Sequence, residues 1–433
     1  MAKASKTAKS EKVSPKSEKV SPKRDAGATV PADVNDVKNE REKKIQTFVV
    51  RTIWTFVMIF VFFFIVLMGH LWTIALVVVV QVLTFKECIT IASEPAREKD
   101  LPYTRALAWY FLAATVYYLE GESLIFYFKH VIFVDTLLQP LANNHRFISY
   151  CLYITGFVFF VSTLKKGHYK FQFAQLCITH MTLLLVVFQG NLIINNILTG
   201  MFWFFLPVGL VITNDIFAYL CGITFGKTQL IAISPKKTVE GFIGAWICTA
   251  LMAIFLSNVL SQLDYLVCPA TDLGTSFFTT TTCVPNPVFF EQKYCVPEYL
   301  VELLGVGYVT FKPIYFHAMV LATFASLIAP FGGFFCSGLK RAFAVKDFGD
   351  TIPGHGGITD RMDCQYLMGS FSYLYFQTFI STQNVTIGTV LQMAVINLDG
   401  PQLLQLIAAI LRYLNNIGMI SKEQLVKITE ILA

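Results

Sequence analysis

The residues best suited to chemistry in this sequence lie close together, at positions 337–363 between two apolar segments. They include four cations, four acids, one histidine and five glycines. Glycines let backbone N–H groups approach an anion closely, and cations neutralise its charge. Phosphoryl and nucleotidyl transfer need this combination, because there the protein mainly positions the substrates and offsets their charge. The alternative is a salt-bridged loop without catalytic function, although such a loop does not require so many glycines.

Three carboxylates of this stretch are candidate metal ligands. Asp360 and Asp363 are three residues apart, so they share one face of a helix, and Asp347 lies in the preceding loop. Carboxylates without His or Cys ligands at metal spacing suit a hard cation such as Mg²⁺, held jointly with substrate phosphates. His355, flanked by glycines, can donate to a phosphate oxygen, protonate a leaving group or only brace the loop.

A second polar block begins with Asn214 and Asp215 at the end of an apolar segment. A charged side chain inside a membrane costs roughly 2.5–3.5 kcal/mol, so Asp215 is a candidate functional residue. Residues 216–226 are apolar but too short to cross a bilayer, which is typical of a half-helix or a re-entrant segment. Lys227 follows directly and places a cation at its end.

The same block continues into an expected helix N-terminus. Ser234 or Thr238 can cap the helix that begins at residue 239, and the positive end of its dipole then lies beside Lys236 and Lys237. Such a pocket binds anions, most commonly phosphate. The alternative is a purely structural cap next to lysines that only anchor the segment at the membrane surface.

The composition places most of the chain in a bilayer. Of 433 residues, 55% are hydrophobic and 14% charged, and the mean hydropathy is +0.58. Soluble domains carry about a quarter charged residues. Beyond residue 51 the basic and acidic side chains balance at 21 each. This balance argues against a nucleic-acid-binding surface, which would need a basic surplus.

Nine apolar segments are long enough to cross, or nearly to cross, a bilayer. They are residues 52–69, 71–85, 104–120, 147–164, 171–188, 192–213, 239–260, 313–336 and 364–381. A tenth, weaker segment at 122–139 is interrupted by Lys129 and His130. The sequence therefore predicts an all-α, polytopic membrane helical bundle with about nine transmembrane helices plus re-entrant or half helices.

The charges also predict which side of the membrane each loop faces. If the basic N-terminal tail is cytoplasmic, the basic clusters at 165–170, 227–237 and 340–361 fall on the cytoplasmic side. The loop at 261–312 then lies on the opposite side, where a disulfide is tolerated. It contains three cysteines, Cys268, Cys283 and Cys295, which predict at most one bridge and a spare thiol.

The two ends of the chain differ from its centre. Residues 1–46 contain no apolar run and predict a disordered basic cytoplasmic tail. Residues 47–382 form the expected membrane catalytic domain. Residues 383–433 form a C-terminal amphipathic helical tail, whose stretch 402–433 predicts two short helices packed on the membrane domain or on a second copy of the chain.

Two motifs resemble those of the phosphatidate cytidylyltransferase family, also called the CDP-diacylglycerol synthases, in their eukaryotic, endoplasmic-reticulum form. The first motif reads Ser337-x-x-Lys340-Arg341-x-x-x-x-Lys346-Asp347, then Pro353-x-His355-Gly356-Gly357-x-x-Asp360-Arg361-x-Asp363. The second reads Asn214-Asp215-x-x-Ala218-Tyr219-x-x-Gly222-x-x-Phe225-Gly226-Lys227, then Ser234-Pro235-Lys236-Lys237-Thr238-x-Glu240-Gly241. The resemblance covers roughly residues 45–420. It departs at Gly244-Ala245, where the family has Gly-Gly, and this difference affects helix packing only.

The resemblance implies that CTP and phosphatidic acid give CDP-diacylglycerol and pyrophosphate with Mg²⁺, a step of phospholipid biosynthesis. It implies the metal ligands Asp215, Asp347, Asp360 and Asp363, and the catalytic residues Lys340, Arg341, Lys346, His355 and Arg361. It implies substrate binding by Asn214, Lys227, Ser234, Lys236, Lys237, Thr238, Ser337, Gly356 and Gly357. It further implies a multi-pass protein of the endoplasmic reticulum membrane with its active site facing the cytoplasm, and, by analogy with bacterial relatives, a homodimer.

Two other functions compete with this interpretation. A CTP-dependent polyprenol or lipid kinase would need a similar phosphate site, but it would leave CDP instead of pyrophosphate. A transporter for a phosphorylated solute could use 216–226 as a broken helix. Transporters tend to contain internal repeats, and neither polar block has a second copy in this sequence.

Overall fold

The computed structural model describes residues 34–98, 101, 103–127, 144–270, 274–279, 283–295, 307–381, 390–391, 394, 398–419 and 421. The chain divides into two compact units, Met1–Ile53 and Trp54–Ala433. The described part of the first unit is helical, and both polar blocks belong to the second unit.

The described structure is almost entirely helical. Its helices are α1 (Val34–Met68), α2 (His70–Glu98), α3 (Thr104–Tyr127), α4 (His145–Ser162), α5 (Tyr169–Thr182), α6 (Gln189–Thr199), α7 (Phe202–Phe225), α8 (Val239–Leu260), α9 (Asp264–Val267), α10 (Ile314–Leu327), α11 (Pro330–Ala342), α12 (Thr359–Tyr375) and α13 (Gly400–Asn416). π-Helical turns, Leu183–Phe188 and Phe376–Ile380, join α5 to α6 and extend α12.

Two short antiparallel hairpins interrupt the helices, and the sequence analysis predicted neither. β1 (Gln229–Ile231) pairs with β2 (Ser234–Thr238) directly before α8. β3 (Gln292–Cys295) pairs with β4 (Tyr308–Phe311) before α10. Strands this short carry too few residues for an alternating pattern to be recognised.

Seven helical stretches of the described residues are long and apolar enough to cross a membrane. They are Val49–Met68, His70–Ser93, His145–Ser162, Tyr169–Thr199, Phe202–Phe225, Val239–Leu260 and Ile314–Ala342. An all-α polytopic membrane bundle is therefore confirmed. The predicted segments 104–120 and 364–381 coincide with α3 and α12 but are not among the seven, so the count of nine stays a prediction. Most of the weaker segment 122–139 lies outside the described residues.

The prediction of a half-helix at 216–226 is wrong, because residues 216–225 continue α7 without a break and Gly226 caps the helix. The chain turns earlier, at Gly200, whose φ of +145° favours glycine. Residues 192–199 consequently belong to the preceding helix. Pro207 does not break α7 either. Proline has no N–H, so the carbonyl of Trp203 lacks its usual partner and instead accepts a hydrogen bond from the Ser372 hydroxyl at 3.2 Å.

Close packing holds α12, which carries much of the first motif, against α6 and α7. The ring centroid of Trp203 on α7 lies 4.8 Å from that of Phe376, the first residue of the π-helical turn that extends α12. On α6, Asn196 Nδ2 donates to the carbonyl of Gly369 at 2.8 Å. A Cβ atom on Gly369 would overlap Ile193, so the glycine permits this approach of the two helices.

The predictions for the disulfide-bearing loop and for the N-terminal tail are confirmed only in part. Cys268 and Cys283 form a disulfide and Cys295 is free, which confirms the prediction of one bridge and a spare thiol. Residues 34–46, predicted as part of a disordered tail, form the start of α1, because extending an existing helix costs little. Residues 1–33 lie outside the described residues.

The C-terminal tail contains the first of the two predicted amphipathic helices. α13 begins with a capping box between Asp399 and Gln402. None of its residues is buried, so the described part of the chain does not cover its apolar face. The second predicted helix lies outside the described residues.

Candidate active site

A part-buried ion pair joins the two halves of the first motif. Lys340, on the last turn of α11, places Nζ 2.5 Å from Asp360 Oδ1, on the first turn of α12. Asp360 Oδ2 accepts from the backbone N–H of Phe348 at 3.1 Å, and Lys340 also lies over the Phe348 ring. The loop between the two helices is therefore bound to both of them by one carboxylate.

The glycine-rich segment forms a tight turn on this loop. The N–H of Ile352 donates to the Gly356 carbonyl at 3.0 Å, and the N–H of His355 donates back to Ile352. Gly354 and Gly356 have φ of +76° and +82°, which only glycine adopts at little cost. A Cβ atom on Gly356 would lie 3.7 Å from both Asp347 Cγ and Asp360 Oδ2. The turn thus brings Gly356 and these two acids together.

His355 and Arg361 both hold this turn in place. Arg361 Nη2 donates to the His355 carbonyl at 2.9 Å. Nε2 of the His355 ring lies 3.2 Å from the hydroxyl oxygen of Thr55 on α1. Of the roles considered for His355, bracing the loop is the one that these contacts support directly.

The second polar block folds as the β1–β2 hairpin followed by α8. Thr238 caps α8 by accepting from the N–H of Gly241 at 3.2 Å, whereas Ser234 lies in β2. Glu240, in the first turn, accepts from the N–H groups of Lys227 and Thr228. These contacts place the helix N-terminus beside the lysine-bearing strand, as the sequence predicts.

The two blocks meet at three carboxylates. Lys237 Nζ lies 3.8 Å from Asp215 Oδ1, and Asp215 is within electrostatic range of Arg361. The pKa of Asp363 is raised to about 6, chiefly by burial and also by the negative charges of Asp215 and Asp360, while a hydrogen bond from the Cys364 N–H opposes the rise. Both motifs therefore contribute to a single site.

The donor chemistry of this site fits a divalent cation, although the described residues do not assemble a complete set of ligands. No three His, Cys, Asp or Glu side chains of the described residues are placed to hold one metal ion. Asp215 and Asp363 are nevertheless mutually repelling carboxylates, which a cation between them would stabilise. Asp360 is less suited as a ligand, because Lys340 and Phe348 already occupy its two oxygens.

The remaining predicted residues differ in their exposure. Lys227, Arg341, Lys346 and Asp347 are exposed, whereas Ser337 is half-buried and Gly357 is buried. Asn214 is 3% exposed, and its Oδ1 has no hydrogen-bond partner among the described residues. The side chain of Lys236 lies outside the described residues.

The sequence analysis missed Glu87, on α2. This buried carboxylate accepts from Thr351 on the loop and from Ile358 and Thr359 at the start of α12. The predicted apolar segment ended at residue 85, so Glu87 had the pattern of an ordinary charge just beyond a membrane span. Only its burial at 6% exposure distinguishes it.

Comparisons with known proteins show the family to which this chain belongs. The model of a family described as the Cytidylyltransferase family matches residues 49–379. A phosphatidate cytidylyltransferase of Saccharomyces cerevisiae is 54% identical over 409 residues, 94% of this chain and 90% of the relative. A putative phosphatidate cytidylyltransferase of Schizosaccharomyces pombe is 53% identical over 91% of this chain and 90% of its own length. Phosphatidate cytidylyltransferase 1 of Homo sapiens is 46% identical over 77% of this chain and 73% of its own length. The chain belongs to the cytidylyltransferase family and, within it, to the phosphatidate cytidylyltransferases.

Proposed function

We propose that this enzyme transfers the cytidylyl group of CTP to phosphatidic acid, releasing pyrophosphate and forming CDP-diacylglycerol. An oxygen of the lipid phosphate forms a bond to the α-phosphorus of CTP, while the bond from that phosphorus to the bridging oxygen of the β-phosphate breaks. The attacking phosphate is already an anion, so the step needs no general base. It needs two polyanions held together with their repulsion offset.

The observation that carries the proposal is the convergence of both polar blocks on one site. Lys237 and Arg361 lie near Asp215, while Lys340 is held at the start of α12 by Asp360. The exposed Arg341 and Lys346 are close in sequence to that pair. Cations from two separate parts of the chain can therefore contact two phosphorylated substrates. The N-terminus of α8 adds a positive dipole on the same hairpin.

Mg²⁺ completes the proposed chemistry. Asp215 and Asp363 would hold it, with Asp347 and Asp360 beside them. When bound, the ion would offset the charge of the CTP phosphates and of the leaving pyrophosphate. The protein's own residues then orient the two substrates: the lysines and arginines bind phosphate oxygens, and the turn at Gly356 presents backbone to them.

We further propose that the protein resides in the endoplasmic reticulum membrane, with this site on the cytoplasmic side, and that it forms a homodimer. The basic clusters on the side of the site support this orientation. The Cys268–Cys283 disulfide in the loop assigned to the opposite side supports it independently. The dimer rests on analogy with relatives alone.

The test is an assay of the purified protein in detergent with CTP labelled in the cytidine moiety, phosphatidic acid and Mg²⁺. We expect label in the lipid and one pyrophosphate released per labelled lipid. Unlabelled lipid together with CDP as the product would indicate a lipid kinase instead. A Mg²⁺ requirement is tested by removing the metal with a chelator and restoring it.

A further inference from the structure

The carboxylate of Glu87 is fully engaged by the loop of the first motif. Oε1 accepts from the Thr351 hydroxyl at 2.5 Å and from the Ile358 N–H at 3.0 Å. Oε2 accepts from the N–H and the hydroxyl of Thr359, at 2.9 and 2.7 Å. Four hydrogen bonds from three residues therefore end on one side chain of a different helix, α2.

Two glycines provide the space for this carboxylate. A Cβ atom on Gly357 would lie 2.7 Å from Glu87 Oε2, and one on Gly349 would lie 3.1 Å from Oε1. Any larger residue at Gly357 would therefore displace the carboxylate or the loop. Two glycines of this stretch therefore line the space that Glu87 occupies.

Neutral donors stabilise the negative charge of Glu87. No Lys, Arg or His among the described residues lies within ion-pair distance of it. Ile358 is the N-cap residue of α12 and Thr359 its first residue, so their amides lie at the helix end where the dipole favours an anion. Because four donors occupy its two oxygens, Glu87 is not placed to bind a metal or to take a proton from a substrate.

We propose that Glu87 is a positioning residue for nucleotidyl transfer. Its carboxylate accepts hydrogen bonds from Thr351 and from Ile358 and Thr359. It therefore holds together the two ends of the segment that contains His355, Gly356 and Gly357. It also fixes Thr359, the neighbour of Asp360, and thereby the place where Asp360 meets Lys340. Glu87 contacts no reacting atom and acts through the loop.

The proposal is tested by Glu87→Gln, with Glu120→Gln as the matched control. The amide of glutamine presents N–H groups to donors and so cannot replace the carboxylate. Glu120 is also a buried carboxyl, on α3, but its side-chain partner is Asn191. We expect Glu87→Gln to lower kcat/KM by at least about tenfold, the cost of roughly one lost charged hydrogen bond. A rise in KM for CTP should accompany it, whereas Glu120→Gln stays within about threefold of wild type.

Hydrogen exchange provides a readout independent of turnover. In the Glu87→Gln protein, amides of residues 351–358 should exchange faster, while those of α7 and α10 stay protected. The proposal would be overturned if the variant exchanged these amides at the wild-type rate. It would also be overturned if KM were unchanged and the loss of activity only matched the loss of folded protein. This measurement needs no substrate, so it separates a failure here from a failure of the proposed reaction.

Thr351→Val keeps the proposal testable if Glu87→Gln does not fold. It removes one of the four hydrogen bonds and leaves the carboxylate in place. We expect a smaller fall in kcat/KM, about threefold to tenfold, with faster exchange limited to residues 351–358. Wild-type kinetics and exchange in this variant would contradict the positioning role.

Discussion

At the scale of single residues, the site depends on the ion pair between Lys340 and Asp360. The two side chains are 19% and 10% exposed, so each is poorly solvated. Removing one partner leaves the other charge uncompensated, which costs more than the intact pair contributes. Loss of the Asp360 carboxylate would also release the backbone N–H of Phe348.

We expect Asp360→Asn to lower kcat by at least about 100-fold, because Lys340 loses the carboxylate that holds it in place to offset the charge of the reacting phosphates. The measurement is pyrophosphate release by the purified variant, with thermal unfolding as the check on folding. Asp264→Asn, at the start of α9, is the matched control and should retain wild-type turnover. Near-normal activity of Asp360→Asn would exclude a role for this carboxylate in the reaction.

If Asp363 holds Mg²⁺ as proposed, metal binding should depend on pH. Its pKa is raised by burial to about 6, so the carboxylate gains a proton as the pH falls below that value. A proton and a divalent cation compete for the same oxygens. We therefore expect the rise in Tm on adding Mg²⁺ to be largest above pH 7 and to shrink between pH 6.5 and 5.5, values that bracket this pKa.

The variant Asp363→Asn serves as the control for this titration. Its rise in Tm with Mg²⁺ should be small at every pH, because an amide is a weaker ligand than a carboxylate. A wild-type shift that is constant across the pH range would show that Asp363 does not bind the metal. The assay uses no nucleotide, so it reports on the protein's own ligands.

At the scale of elements, the position of α12 depends on its approach to α6. Gly369 lies against Ile193, and its carbonyl accepts from Asn196. The approach of these helices places Asp360 and Asp363, since both belong to the first two turns of α12. The sequence predicted the helix from its apolar pattern but not the glycine contact, because periodicity does not reveal which helices are neighbours.

We expect Gly369→Ala to destabilise the protein by about 1–3 kcal/mol through overpacking against Ile193. Thermal unfolding in detergent measures the effect. Gly338→Ala is the control, since a Cβ atom there meets no other atom within 4 Å. The double variant Gly369→Ala with Ile193→Ala should recover part of the loss, and additive effects would argue against direct contact.

At the scale of the whole molecule, the site and the disulfide-bearing loop should lie on opposite sides of the membrane. The positive clusters and the Cys268–Cys283 bridge lead to the same orientation. Cys295 reports on it, because this free thiol is exposed on β3 in the same loop. The other exposed free cysteines, Cys151 and Cys177, lie within apolar membrane-spanning stretches.

We expect a membrane-impermeant maleimide to label Cys295 only after sealed microsomes are permeabilised. A cysteine introduced at the exposed Lys346 should instead be labelled in intact vesicles, and it serves as the matched control. Peptide mass spectrometry identifies the labelled thiol. Labelling of Cys295 in intact vesicles would invert the proposed orientation and place the site in the lumen.

The sequence by itself determined the class of fold and the chemistry, and it supplied the candidate site residues. Hydropathy predicts membrane helices because a bilayer leaves few alternatives to them, and the motif residues have types and spacings that can be read without a structure. Local chemistry also limited the helix cap to Ser234 or Thr238 and the three loop cysteines to at most one bridge, and the structure selects Thr238 and Cys268–Cys283.

Only the tertiary structure decided which of these residues meet. Sequence spacing cannot show that Asp215 approaches Asp363, or that Glu87 supports a loop more than 260 residues away along the chain. It also could not show that residues 216–225 continue α7, because a short apolar stretch fits a half-helix and the end of a long helix equally well. Such contacts depend on packing between distant segments, and no local pattern encodes them.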